Sequence, residues 1–218
     1  MITQFGRFLI KHENIDLDYL ANFNFKKLEE EYQRIKKIFI LKEDIEKIKL
    51  CFLYDPDEFN FFADIKYDLK WAWAFTSKLK IYIFAPSVCE KYTNHKKEEI
   101  FNVLVHEMTH VLYNFCNFRN NILNEGIAYY VMGRKFNIDD IKDKKIFLNA
   151  SDEYKNRIKY GTILIENIIE NIEKGNEKII KFFNETKSNK SEEEMNRIFK
   201  EIFGHSPIDL INLKGGNK

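Results

Sequence analysis

The first half of the chain alternates between two hydrophobic patterns, one typical of strands and one of helices. Residues 7–13, RFLIKHE, form a short apolar run between polar residues and predict a strand. From Asp18 to Phe39, apolar residues recur near helical spacing and predict a long helix. Residues 47–55, KIKLCFLYD, place alternate apolar residues on one side, and the pattern predicts a strand that ends in a turn at Asp55-Pro56.

A second β region follows, with WAWAF from Trp71, then Thr76-Ser77, then KLKIYIFAP ending at Pro86. Apolar residues alternate with other residues in the last of these runs, which favours a half-buried strand at the edge of a sheet. An edge strand can hold an extended peptide by pairing with it. Ser87 with Glu90 three residues later resembles a capping box, so we expect a helix to begin just after Pro86.

The second half of the chain is helical in pattern. Residues Lys97 to about Phe115 place their apolar side chains in one stripe, polar residues from Asn117 to Asn121 interrupt the pattern, and Leu123 to Phe136 forms a second segment. After a charged connection around residues 137 to 150, three further helices are predicted: Asp152 to Glu173, Asn176 to Phe183, and Ser191 to Phe203, the last capped by Ser191 and Glu194.

This order of elements predicts the α+β class. No linker or internal repeat divides the 218 residues, so we expect one domain with a β-containing part at about 1–118 and a helical part at about 119–218. We expect a small mixed sheet with an edge strand in the first part.

Composition excludes several classes of function. A net charge of +1, from 35 basic and 34 acidic residues, gives no overall attraction for nucleic acid or an anionic membrane. Cys51, Cys89 and Cys116 lack the spacing of a disulfide framework or a thiolate zinc site, and are interpreted as reduced core residues. The sequence has no signal peptide and no apolar run of eighteen residues, so we expect a cytoplasmic protein without a membrane partner.

The candidate chemistry lies in the segment VHEMTH. Histidines four apart on a helix differ by about 40° around its axis, so His106 and His110 can both reach one metal ion. Glu107 is displaced by about 100° and could contact a water molecule on that metal without being a ligand. A catalytic zinc takes three protein ligands and lowers the pKa of water to about 7, and Glu107 could then carry the proton from this water to a leaving amine. An ordinary core helix with histidines on its flank is the alternative.

Fourteen residues after His110, the segment LNEGIAYY opens a helix behind a polar loop. A carboxylate on a neighbouring antiparallel helix, here that of Glu125, could supply the third ligand of a His₂Glu site. A glycine in the next position, Gly126, is consistent with close packing of two helices there. This second clue favours a metal site over a chance pattern.

HExxH at residues 106–110 together with NEGxAxY at residues 124–130 resembles the gluzincin metallopeptidases. The closest resemblance is to the bacterial peptidase MA-like group, and it covers most of the chain. It implies a zincin-like fold and a zinc ion held by His106, His110 and Glu125. It also implies Glu107 as general base and acid.

The sequence departs from the gluzincin pattern in three places. Ile122 stands where an aromatic residue often precedes NEG, and Tyr129 replaces the acidic residue that orients a ligand histidine in thermolysin relatives. The GxMEN segment of aminopeptidases is absent, so an endopeptidase is the better interpretation. With that acidic residue replaced, Asn102 and Asn124 are the candidates to orient the histidines.

Gluzincins also use a Tyr or His to stabilise the developing oxyanion. Tyr160 is the candidate by position, followed by Tyr154 and His205, and a buried structural tyrosine is the alternative interpretation. The two remaining histidines, His12 and His95, are interpreted as surface residues.

The sequence therefore predicts a zinc metallopeptidase whose partner is a peptide or protein substrate. One alternative is a binding protein, with or without zinc, that keeps the gluzincin scaffold and cleaves nothing. Another is a regulatory protease that cuts a single partner protein.

Overall fold

Five strands of the described residues form one mixed sheet: β1 Ile2–Phe5, β2 Phe8–Lys11, β3 Ile48–Leu53, β4 Ala74–Ser77 and β5 Lys80–Phe84. Their order in the sheet is β1-β2-β3-β5-β4. The computed structural model describes residues 1–63, 72–118, 120–137, 154–188 and 190–212. The outer pairs β1/β2 and β4/β5 are antiparallel, whereas β2/β3 and β3/β5 are parallel.

Helices make up more than half of the described residues and accompany the mixed sheet, so the predicted α+β class is confirmed at that level. They are α1 Leu17–Asn22, α2 Phe25–Ile38, α3 Pro56–Ala63, α4 Cys89–Tyr92, α5 Ile100–Phe115, α6 Asn121–Val131, α7 Tyr154–Asn171, α8 Gly175–Glu185, α9 Glu192–Phe203 and α10 Pro207–Asn212. Within the described residues, no helix is long and apolar enough to cross a membrane.

The chain divides into two compact units. Unit 1 comprises residues 1–36 and 41–115, and unit 2 comprises residues 37–40 and 116–218. Unit 1 contains the sheet, with α3 packed against β3 and β5, and α5 packed against β4 and β5. On one face of the sheet, the side chains of the three inner strands are buried: Phe8, Ile10, Ile48, Leu50, Phe52, Ile81 and Ile83.

The expectation that residues 79–84 form an edge strand is wrong. β5 pairs with β3 on one side and with β4 on the other, so both of its edges are occupied. Tyr82 and Phe84 are buried because the rings of α3 stack against them: Phe62 on Tyr82 and Phe59 on Phe84. The edge strand is β4. Thr76 and Ser77 belong to this strand, and the turn that joins β4 to β5 is Lys78-Leu79, with Lys78 at a φ of 55°.

Three further elements of unit 1 differ from the predictions. A strand, β1, precedes the predicted one and forms a hairpin with it. The long helix at 18–39 is broken at Phe23-Asn24, where the Asn24 side chain accepts a hydrogen bond from the Lys27 N–H and caps α2. Pro56 opens α3 rather than a turn, because proline suits the first helical position and Asp55 caps the helix by accepting from the Glu58 N–H at 2.7 Å.

Polar groups at the carboxyl ends of β2, β3 and β5 form a buried network around Asp16, which is 1% exposed. Its carboxylate accepts from the hydroxyl of Tyr54 at 2.8 Å and from the N–H and hydroxyl of Ser87. The predicted capping box at Ser87 and Glu90 is therefore wrong: Ser87 is engaged by Asp16, and α4 has no side-chain cap. His12 is also buried rather than superficial, with its ring between the Thr3 hydroxyl and the Glu13 carbonyl at 2.8 Å each.

Unit 2 is helical. α7 packs against α6, α8 and α10, and α9 packs against α8 and α10. The predicted capping box of Ser191 and Glu194 is confirmed, with both reciprocal hydrogen bonds present. α6 ends at Val131, five residues before the predicted end, because Gly133 at a φ of 78° closes the helix with a bond from its N–H to the Tyr130 carbonyl.

Some predictions fall outside the described residues. Trp71 of the WAWAF run, most of the charged connection at 137–150, and the start of the predicted helix at Asp152 belong to this group. The side chains of Ile122 and Tyr154 do as well.

Arg7 joins β2 to α2 and to the loop before β3. Its guanidinium donates two hydrogen bonds of 2.7 Å to Glu29 and one to the Ile45 carbonyl, and it lies 3.7 Å from the centre of the Tyr32 ring. Burial alone would raise the pKa of Glu29, but the hydrogen bonds from Arg7 and Gln33 and the charge of Arg7 together outweigh it and lower this pKa below the usual value. The pair is therefore charged at neutral pH.

We expect Arg7→Lys to lower the free energy of unfolding by about 1–3 kcal/mol, because a lysine cannot form the two-pronged contact or stack on Tyr32 in the same way. Urea unfolding followed by circular dichroism measures the change. Arg197→Lys is the control, since its ion pair with Glu201 is exposed and should contribute less than about 0.5 kcal/mol. Equal effects of the two substitutions would contradict the role of Arg7.

Candidate metal centre

The histidine pair His106 and His110 lies on the flank of α5. The helix buries Ile100, Leu104, Met108 and Leu112 as its apolar stripe, which fixes the direction in which the histidines project. Their Nε2 atoms are 3.0 Å apart, and the rings are nearly perpendicular, with centroids 4.7 Å apart. Burial, and secondarily the neighbouring His110, lowers the pKa of His106 well below its usual value. His106 is thus neutral near pH 7, the form that offers a nitrogen lone pair to a metal.

The side chain of Glu107 contacts β4. It is 6% exposed, and its Oε2 accepts a hydrogen bond of 2.7 Å from the hydroxyl of Thr76. The same hydroxyl also lies 3.0 Å from the Glu107 carbonyl oxygen. Sequence patterns did not point to Thr76, because a threonine that contacts a distant helix produces no periodic signal.

Glu125 lies in the second turn of α6. This helix is capped by Asn120, whose side chain accepts a hydrogen bond of 3.0 Å from the Leu123 N–H. Asn120 is buried, so its capping hydrogen bond is shielded from water and fixes the first residue of α6. The cap determines where α6 begins and thereby the direction in which Glu125 projects.

α6 and α7 cross in unit 2 at two glycines. A Cβ atom added to Gly126 would lie 2.3 Å from the carbonyl carbon of Gly161, a distance that real Cβ atoms do not show. The expected close packing of helices at Gly126 is therefore present. The residues that precede these glycines, Glu125 and Tyr160, are consequently carried by two helices whose backbones touch. Tyr160 is buried, at 7% exposure.

Three of the predicted site residues form a group that could hold a metal ion: His106, His110 and Glu125. Each offers one ligand atom, and these atoms all lie within 4.8 Å of one another. Two imidazole nitrogens and one carboxylate oxygen are the donor set of many catalytic zinc sites. A donor set of this kind also occurs around non-haem Fe(II), so the donors alone do not choose the metal.

The remaining candidate residues differ in their exposure and contacts. His205 and Asn102 are exposed, and Asn124 is half-buried on α6. His95 is partly exposed, stacks on Trp73 and lies 2.9 Å from a Glu99 carboxylate oxygen. The three cysteines are free, and burial raises the pKa of Cys89 and of Cys116 to about 11, which makes them poor nucleophiles.

A separate pocket in unit 1, with a volume of about 650 Å³, lies at α1 and the start of α2. Tyr19, Phe23 and Phe101 are among its lining residues, and no histidine or cysteine is among them. It therefore lacks the imidazole and thiolate donors that are typical of zinc sites.

No protein-family model matches this sequence, and the search of curated proteins returns no significant match. The interpretation of the site consequently depends on its own residues and their geometry.

We expect Gly126→Ala to lower the free energy of unfolding by at least about 2 kcal/mol, since the new methyl group would overlap the Gly161 backbone. Urea unfolding measures this change. The sign is informative, because replacing glycine with alanine inside an unobstructed helix normally stabilises a protein by about 0.4–1 kcal/mol. A stabilised variant would show that the two helices do not touch at this point.

Proposed function

We propose that the protein is a zinc-dependent metallopeptidase, of gluzincin type and zincin-like fold, that acts as an endopeptidase on a peptide or protein substrate. The observation that carries the proposal is the approach of the ligand atoms of His106, His110 and Glu125 to within 4.8 Å, with Glu107 beside the first histidine. The acidic residue of HExxH distinguishes this arrangement from an iron site, because it supplies the proton carrier that hydrolysis requires.

The donor set fits zinc. The lowered pKa of His106 keeps a lone pair available, and Glu125 contributes a carboxylate. When bound, zinc supplies Lewis-acid chemistry: it makes water acidic near neutral pH and polarises a carbonyl group.

The chain's own residues supply proton transfer and orientation. Glu107 takes one proton of the attacking water, whose oxygen bonds to the carbonyl carbon, and delivers that proton to the nitrogen of the leaving amine. The C–N bond then breaks, and a carboxylic acid and an amine form. Its carboxylate is held in a fixed direction by the Thr76 hydroxyl. Tyr160 is proposed to donate its hydroxyl hydrogen to the carbonyl oxygen as negative charge develops there.

The edge strand β4 is proposed to hold the substrate. Within the described residues β4 pairs only with β5, so its other edge is open. Phe84 N–H donates to the Trp73 carbonyl at 3.0 Å, which makes Trp73 and Phe84 a hydrogen-bonded pair. Because such pairs alternate in an antiparallel ladder, Ala74 and Thr76 direct their own N–H and C=O groups toward the open edge. An extended peptide can bind there as an added strand.

Substitution of the acid separates binding from catalysis. We expect Glu107→Gln to retain one zinc per chain and to lose peptide hydrolysis by a factor of at least about 100, because the proton carrier is removed while the ligands stay. His106→Ala and Glu125→Ala should instead lose the metal, as measured by elemental analysis after gel filtration.

Full hydrolysis by Glu107→Gln would end the proposal. Stoichiometric zinc in the wild type with no turnover of any member of a broad peptide library would favour the binding protein instead. Cleavage of a single protein in a cell lysate, without cleavage of library peptides, would indicate the regulatory protease.

A cleaved library peptide also tests the role of β4. We expect N-methylation of its backbone to raise KM about 10-fold or more at every second residue near the cut, where the N–H faces β4, and to have little effect at the residues between. Steady-state kinetics on a series of singly methylated peptides measures this pattern. A uniform effect at all positions would show that the substrate does not bind as a strand.

A further inference from the structure

We propose that Thr76 is a positioning residue that holds the general base Glu107 and connects it to the strand that binds substrate. This inference rests on the proposed function and adds a residue to it. It comes from the hydrogen bonds of unit 1 and from the pairing pattern of β4.

The Thr76 hydroxyl contacts Glu107 at two points of the same residue. It donates to the carboxylate Oε2 at 2.7 Å, and it lies 3.0 Å from the main-chain oxygen. A glutamate side chain has three rotatable bonds, and a contact that spans from its backbone to its carboxylate limits all of them. Since Glu107 is 6% exposed, water cannot readily take over this role.

The backbone of Thr76 is available for a second interaction. It belongs to a non-hydrogen-bonded pair of the β4/β5 ladder, opposite Ile81, so its N–H and C=O face the open edge of β4. Its side chain meanwhile faces α5, as the contact with Glu107 requires. One residue therefore touches the base through its side chain and offers its backbone to an added strand.

This arrangement predicts how the two events are coupled. A peptide that pairs with β4 at Thr76 would restrain the backbone of that residue, and the hydroxyl would then hold the carboxylate of Glu107 more firmly. The hydroxyl itself does not contact the substrate in this scheme. Its loss should therefore affect turnover more than substrate binding.

The structural alternative is that the hydroxyl merely satisfies polar atoms of a buried contact between β4 and α5. In that case its removal would destabilise the protein without a specific effect on turnover. Kinetic parameters, zinc content and unfolding measured on the same variants separate these roles.

The test compares Thr76→Val, which keeps the branched shape and removes the hydroxyl, with Thr76→Ser, which keeps the hydroxyl. We expect Thr76→Val to lower kcat by about 10- to 100-fold with KM within about 2-fold and zinc stoichiometry unchanged. Thr76→Ser should retain kcat within about 3-fold. Ser77→Ala is the matched control, because Ser77 is the next residue of β4, is exposed and alternates to the opposite face of the sheet.

A second measurement does not depend on activity. A double-mutant cycle of Thr76→Val and Glu107→Ala, followed by urea unfolding of the metal-free protein, tests whether the two side chains interact in solution. We expect Thr76→Val to lower the unfolding midpoint in the wild-type background and to have a clearly smaller effect when Glu107 is already alanine.

An additive cycle, or a wild-type kcat in Thr76→Val, would overturn the role of Thr76 and leave the proposed function intact. Equal losses of kcat in the valine and serine variants would also overturn it, since the hydroxyl would then not be the group responsible. Failure of the proposed function has a different signature, namely hydrolysis that survives Glu107→Gln.

Discussion

Helix α5 must bury one apolar stripe against β4 and β5 while it keeps two histidines on the flank of that stripe, and the candidate site depends on this division. Because the helix has 3.6 residues per turn, Leu104, Met108 and Leu112 fall on one side, and His106 and His110 fall together beside them. The position of Glu107 follows from the same period. Its carboxylate faces β4 and accepts a hydrogen bond from the Thr76 hydroxyl. The packing of one helix thus sets the positions of both the histidine pair and the acid.

The local parts of this arrangement could be predicted from the sequence because they depend on spacing within one element. The histidine pair needs only the helical period, and the start of α9 needs only the reciprocal bonds of Ser191 and Glu194. The close approach at Gly126 was also visible, since glycine beside a polar residue in a helix has few other uses. Periodicity likewise identified β2, β3, β5 and most of the helices.

What the sequence did not reveal depends on partners that are distant in the chain. Residues 79–84 alternate like an edge strand, yet β5 is an inner strand, because it pairs with β3 on one side and with β4 on the other. Helix α3 covers one of its faces. His12 is surrounded by polar residues in the sequence, yet it is buried. Its ring contacts the Thr3 hydroxyl across the β1/β2 hairpin, which was not predicted. Ser87 has the spacing of a helix cap but instead donates a hydrogen bond to Asp16, seventy-one residues away. Alternation and short motifs contain no information about such neighbours.

The same distinction explains why a candidate site can be interpreted from a few residues of the chain. A fold can be encoded by many sequences, because burial and pattern tolerate substitution, whereas a metal that is to activate water accepts few donor types in few arrangements. The chemistry therefore leaves a denser signature in HExxH and NEG than the fold leaves in the remaining residues. Thr76 belongs to a third category. Its role requires only a hydroxyl at one point of an edge strand, so neither pattern nor motif marks it, and only the distances to Glu107 bring it into the site.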